Sequence, residues 1–231
     1  MGGVYRRPPM DADAPDPITL EAAWPLFGLR IRSEHLELRL PTDDEILTMI
    51  DLAHDGIHPP DEMPFGVAWS VVPSPAFERS FLQHHWAMRG GWTPQSWTLN
   101  LIVEMDGRPI GTQTVHAVDF AIHRIVDTGS WLGQAFQGKG FGKEMRAAVL
   151  AFAFDGLGAV VAESAAFPEN LASTGVSRSL GYEDNGLGAL APQGVSRVSQ
   201  RFRMTVERWR SRPRPPVTIE GLDGCRDLFG A

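Results

Sequence analysis

The chain has 231 residues, enough for one large domain or two small ones with a real core. Its 43% apolar and 21% charged content is ordinary for a globular protein, and a net charge of −7 argues against a general grip on nucleic acid, whose phosphates need excess Lys and Arg. A single cysteine, Cys225, excludes an internal disulfide, a CxxC redox pair and a cysteine zinc cluster; no apolar run approaches the roughly 20 residues needed to cross a bilayer.

Residues 1–20 are rich in Pro and Asp and lack a signal-peptide core, so a flexible arm and a cytoplasmic location are expected. Order should begin near Trp24. Alternation of Leu36, Leu38 and Leu40 with Glu37 and Arg39 predicts a half-buried strand. Thr42 or Asp43 can cap a helix over Glu45–Ala53, with acids in its first turn. Prolines break up Asp55–Pro75, and a second helix is expected over Phe77–Arg89. Trp97–Glu104 and Arg108–His116 read as a hairpin around Asp106-Gly107.

A strand is expected over Ile122–Leu132, a helix over Gly142–Phe154, and a short buried strand over Ala159–Ser164. Asn170 should cap a helix that runs to Leu180 and stops at Gly181, and Gln200–Trp209 should close as a strand. The order β-α-α-β-β-β-α-β-α-β implies one α/β (α+β) domain, residues 21–212, with a mixed sheet and helices on both faces. Residues 213–231 form an extension whose Cys225–Phe229 end is apolar enough to dock back.

The segment Gly133–Glu144, GQAFQGKGFGKE, holds four glycines and two lysines between an expected strand and an expected helix. Such a turn brings backbone N–H groups to an anion at a helix start. Gly133-x-x-x-x-Gly138-Lys139 is nearly a P-loop, but Gly140 stands where Ser or Thr would hold magnesium. Gly138, Gly140 and Gly142 do not give the G-x-G-x-x-G dinucleotide spacing.

The pattern met is Gln137-x-x-Gly140-x-Gly142, and here the chain resembles the GNAT superfamily of acyl-CoA-dependent N-acyltransferases. The later motif agrees: Asn170-Leu-Ala-Ser173 and Leu180-Gly181-Tyr182 resemble the family's N-x-x-S helix ending in LGY. Trp24-Pro-Leu-Phe, Leu36–Thr42 and Gly129–Leu132 look like the branch that modifies ribosomal-protein N-termini. More closely, Trp24–Phe229 is similar to a mycobacterial GNAT succinyltransferase, through Met63–Phe65, Val126–Gly133, Glu144–Phe154, Asp184–Leu187 and Cys225–Gly230.

The resemblance implies an acetyl-CoA or succinyl-CoA donor, no metal, and an amine acceptor on a small molecule or a protein. It implies a coenzyme A pyrophosphate held at Gln137, Gly138, Lys139, Gly140, Phe141, Gly142 and Lys143, with Asn170 and Ser173 on the pantetheine side. Ile122–Leu132 and Ala159–Ser164 would splay into a V, with the Leu132 N–H near the thioester carbonyl and Trp131 on a flanking or core face. Asp127 is a candidate base or equally an exposed strand carboxylate; His116, His123, Glu104 or a water chain could substitute. Ser173 could protonate the departing thiolate or only touch pantetheine. The acceptor is expected at His54–Trp69 and around His84, His85 and Trp86. The arginines from Arg201 to Arg214 read as a solvated face, and one of them or another arginine could hold a succinyl carboxylate. No nucleic-acid or membrane partner is expected, and a homo-oligomer stays open. Without an unambiguous base, a non-catalytic acyl-CoA sensor is the alternative.

Overall fold

The computed structural model describes residues 17–231, so most of the expected N-terminal arm lies outside the described residues. The first half holds α1 (Leu20–Ala23), β1 (Arg30–Arg32), β2 (Glu37–Arg39), α2 (Asp43–His54), α3 (Ala76–Gly90), β3 (Ser96–Met105) and β4 (Arg108–Val118). Then follow α4 (Phe120–His123), β5 (Ile125–Leu132), α5 (Phe141–Ala151), β6 (Val161–Ala166), α6 (Leu171–Leu180), β7 (Glu183–Leu190), β8 (Arg197–Thr205), α7 (Val206–Arg210) and β9 (Thr218–Glu220).

The strands form one sheet in the order β7-β8-β6-β5-β4-β3-β2-β1-β9. Neighbours are antiparallel except β5 and β6, which run parallel. The fold is thus the mixed α/β arrangement expected from the element order. Between β3 and β4, Asp106 and Gly107 both take positive φ, 52° and 73°. That backbone matches the twist of the flanking strands and sets their register. Thr42 and Glu45 form a reciprocal capping box at the start of α2.

β3 is covered on both sides. Leu99, Leu101 and Val103 enter the main core with Met145, Val149 and Phe152, while Ile102 joins a second core with Ile46, Met49, Phe77 and Phe81 of α2 and α3. The two periodicities, two for the strand and 3.6 for the helices, bring these side chains together.

Several boundaries differ from expectation. Asp119 and Arg124 have left-handed φ of 49° and 51° and bracket α4, so β5 begins at Ile125 and Ile122 is helical. β8 stops at Thr205, whose hydroxyl caps α7 and lets Trp209 turn inward. β7 was not expected as a strand, because its residues are almost all exposed and carry no alternation.

The last segment also adds a strand: Ile31 of β1 pairs with Ile219 of β9. Beyond it, Phe229 is fully buried, with ring centroids 5.0 Å from Trp97 and 5.6 Å from Phe152. Burial pushes the Cys225 thiol up to about 11, which leaves it a poor nucleophile.

Candidate active site

The one parallel pairing in the sheet is short. Ile125–Asp127 pair with Val161–Glu163, after which β5 stays with β4 as far as Leu132 while β6 follows β8. An opening therefore lies between β5 and β6. The Gly133 N–H donates to the Ile110 carbonyl at 3.0 Å. Because amides alternate along an antiparallel strand, residues 129 and 131 also direct their N–H groups to β4, and the Ser130 and Leu132 N–H groups point into the opening.

At the wide end of the opening is the glycine loop. Gly138 and Gly140 have φ of 72° and 92°, and a Cβ on either would meet no protein atom within 4 Å. Gly140 is the N-cap of α5 and has no side chain to satisfy the first helical N–H groups. These donors and the positive end of the helix face space bordered by Lys139 and Lys143, both exposed. Phe141 is half-buried against the main core. A Cβ on Gly142 would lie 3.7 Å from Val176 and 3.8 Å from Leu132, in ordinary contact, so this glycine lines the seam between α5, α6 and β5.

Gln137 has a positioning role that its place in the loop does not suggest. Its Nε2 donates to the Ile57 carbonyl at 2.6 Å and to the Leu132 carbonyl at 2.8 Å. On the other side of the opening, Asn170 Oδ1 accepts from the Ser173 N–H at 3.0 Å and caps α6. The Ser173 hydroxyl is half-buried and makes no hydrogen bond among the described residues. The helix ends at Leu180, with Gly181 left-handed at φ 96°.

On the opposite sheet face, Asp127 lies directly across from His116. Partial desolvation raises the Asp127 carboxyl above the usual carboxylate range, against the pull of His116 and Arg201. His116 Nδ1 is 2.9 Å from the Trp97 carbonyl, which can only accept, so Nδ1 carries a proton and donates it there. Glu104 is committed to Arg39, at 2.9 and 3.0 Å, and His123 is exposed in α4.

Trp131 is half-buried on this same face, 5.8 Å from Trp69 and 6.3 Å from Phe81. The loop carrying Trp69 is fixed by a 2.7 Å contact between His58 and Ser70, and by Arg197 donating to the Met63 carbonyl at 2.8 Å. It thus reaches from the end of α2 to β8. His85 is turned into the protein beside Asn100, and burial pushes it down to about 3, so it is neutral. Burial lowers His84 as well, and Trp86 is exposed with its indole N–H on Asp43.

One residue in the opening escaped the sequence reading. Arg146 of α5 is only 4% exposed and spans the gap, donating to Ser164 of β6 at 2.9 Å and to Ser130 of β5 at 3.4 Å. The available signal was a charge at i+4 from Gly142 and i−4 from Leu150, on the apolar face of the helix. Among the described residues, no group of three His, Cys, Asp or Glu side chains could hold a metal ion, and no helix is long and apolar enough to cross a membrane.

The profile of the acetyltransferase (GNAT) domain matches residues 35–183. Among solved structures, a putative acetyltransferase from T. thermophilus is 20% identical, with a TM-score of 0.63 over 79% of this chain and 92% of that one. A putative ribosomal-protein-serine acetyltransferase from Vibrio cholerae is 19% identical, with a TM-score of 0.60 over 76% and 97%. Mycobacterium smegmatis RimJ, in complex with CoA-disulfide, is 22% identical, with a TM-score of 0.58 over 78% and 86%. At these identities the likeness speaks to the fold.

Proposed function

The chain belongs to the GNAT acetyltransferase family and is an acyl-CoA-dependent N-acyltransferase, and from that premise we propose that it transfers an acetyl or succinyl group from coenzyme A to a primary amine on a small molecule or a protein. The observation that carries the reading is the β5–β6 opening placed beside an uncapped, glycine-lined helix start. A pyrophosphate at Gly138–Lys143 leaves the opening for the pantetheine arm, whose amides match the inward N–H groups of β5. Asn170 Nδ2 and the Ser173 hydroxyl lie on the α6 side of that arm.

In the reaction the acceptor nitrogen attacks the thioester carbonyl carbon, a C–N bond forms and the C–S bond breaks. Of the two inward amides, that of Leu132, beside the glycine loop, meets the pantetheine arm, and the Ser130 N–H, further along β5, supports the developing oxyanion, a kind of donor whose loss typically costs about 100-fold or more. Asp127 takes the proton released by the nitrogen through intervening water, since it lies three residues from Ser130, about 10 Å along β5; its raised carboxyl and its place on the open face favour the assignment. Ser173 supplies a proton to the departing thiolate and recovers one from water. Trp69, Trp131 and the loop between α2 and α3 border the acceptor, with His116 across the strand pair from Asp127.

Calorimetric titration with acetyl-CoA and succinyl-CoA tests the reading. The full chain should bind at least one of them, and heatless titrations with both would overturn it. Gly140→Val should abolish binding by filling space that contains no protein atom. Gly158→Val is the control, because Gly158 has a similar φ of 75° and equally empty surroundings outside the loop.

A further inference from the structure

Arg146 is a buried cation without a counter-charge. No carboxylate lies in ion-pair range of it among the described residues, and its Nε is buried with no partner. Its two hydrogen-bond partners are neutral hydroxyls, Ser164 at 2.9 Å and Ser130 at 3.4 Å. Ser164 in turn is 3.4 Å from the Thr128 carbonyl, where the two parallel strands begin to part. Removing a guanidinium from water costs several kcal/mol unless an anion or a full set of acceptors replaces the solvent. Two hydroxyls and an orphaned N–H do not provide that set.

The anion that completes this site is not the pyrophosphate. Arg146 is six residues past Gly140, about 9 Å along the helix at 1.5 Å per residue. Its contacts with Ser130 and Ser164 keep the guanidinium in the strand gap, away from the glycine loop. On the acyl-CoA reading, the part of the donor furthest along the opening from the pyrophosphate is the acyl portion of the thioester.

We propose that Arg146 selects the donor by pairing with a carboxylate at the far end of a short dicarboxylic acyl chain, with Ser130 and Ser164 holding the guanidinium for it. This rests on the acyl-CoA reading above and narrows it to succinyl-type thioesters. A planar guanidinium offers five donors in a fork suited to a carboxylate; two of the five are used here, and Nε has no partner at all. A neutral acyl chain in the same place would leave the cation uncompensated, so discrimination comes from the penalty on the wrong donor as well as from the bond to the right one.

The test compares succinyl-CoA with butyryl-CoA, a four-carbon acyl group lacking the carboxylate, and with free coenzyme A. Calorimetry on the full chain should show succinyl-CoA binding about tenfold or more tighter than butyryl-CoA, in line with a charge-assisted pair. Arg146→Met should bind succinyl-CoA and butyryl-CoA alike and keep the affinity for coenzyme A. Its melting temperature should hold or rise, because an apolar side chain of similar length replaces a buried unpaired charge. Arg146→Lys should retain part of the preference. Equal binding of the two thioesters by the full chain overturns the proposal, and that measurement stands even if the variants fail to fold. A proportional loss for all three ligands in Arg146→Met also overturns it and makes Arg146 a general pantetheine contact. If none of the three binds the full chain, the acyl-CoA reading itself falls, a result separate from loss of preference.

Discussion

The Gln137 side-chain amide donates to the Ile57 carbonyl at 2.6 Å, and the same nitrogen donates to the Leu132 carbonyl at 2.8 Å. One side chain therefore binds the glycine loop both to the end of β5 and to the segment following α2. The Gln134 N–H reinforces this by donating to the Gly56 carbonyl at 2.9 Å. The glycine loop, proposed above to hold the pyrophosphate, is thus positioned by a neutral donor.

Gln137→Ala should loosen this junction. Two hydrogen bonds at about 1 kcal/mol each bound the stability loss at about 2 kcal/mol, and coenzyme A affinity should fall several-fold. Gln137→Glu should be worse than alanine, because a carboxylate cannot donate and would face two carbonyl oxygens. Thermal melts and calorimetry on the two variants check this. A glutamate variant as good as the native chain would mean that the amide points to solvent.

Asp127→Asn separates function from stability. The folded protein raises the Asp127 carboxyl, so its ionised form is disfavoured in the fold. By linkage, that opposes folding at pH above the raised value and vanishes below the unfolded value, near 3.8. The asparagine variant should therefore melt no lower, or slightly higher, than the native chain at neutral pH. Its kcat should nevertheless fall by about 100-fold, typical for loss of a general base. The acidic limb of the pH–rate profile, lying above the ordinary carboxylate range in the native chain, should disappear. Unchanged kcat with unchanged profile would remove Asp127 from the chemistry and point to His116 or water.

How much of this was legible depends on whether neighbours in sequence are neighbours in function. The capping box at Thr42, the Asp106-Gly107 turn and the Gly181 stop are local devices, and all three stand where the sequence predicts them. The splay was expected only through family resemblance; no periodicity announces it, because it depends on which partner each strand follows. β9 is three residues long and is defined by β1, so nothing local announces it. Arg146 was missed because an isolated arginine in a helix normally lies on a solvated face. Its place on the apolar stripe of the helix was the one local signal, and the sheet beneath shows that it is enclosed.

Acid sensitivity should concentrate at the start of α2. Glu45 accepts from Arg39 at 2.9 Å and from the Thr42 N–H at 2.8 Å. The Arg39 hydrogen bond, followed by those from Thr42, lowers its carboxyl from 4.5 to about 2. A depressed acid stabilises the fold fully above its unfolded value and loses that contribution as pH falls through the folded one. The window is thus about pH 4.5 down to 2. The site is open enough to solvent that its contribution should be about 1 kcal/mol after screening. Glu45→Gln should melt lower at pH 7, and the gap to the native chain should close near pH 2. A gap independent of pH would mean that Glu45 acts only as a neutral cap.

The C-terminal segment should be indispensable to the main core. Phe229 packs against Trp97 at 5.0 Å, Trp92 at 5.3 Å and Phe152 at 5.6 Å. The Trp97 indole N–H donates to the Phe229 carbonyl at 3.1 Å, and that of Trp92 to the Leu228 carbonyl at 2.8 Å. Phe→Ala at a fully buried site typically costs about 3–5 kcal/mol, a large part of the roughly 5–15 kcal/mol that holds a domain together. Phe229→Ala should therefore lower the melting temperature sharply, while Phe229→Leu, which retains most of the volume, should lose less. Deleting residues 213–231 should be more damaging than Phe229→Ala, since it also leaves two indole N–H groups without acceptors and exposes the edge of β1. Tryptophan emission reports it directly: the deletion should shift to the red as Trp92 and Trp97, stacked at 5.7 Å, meet water. A truncated chain that melts as high as the full one, with unshifted emission, would show that these contacts contribute nothing to the fold.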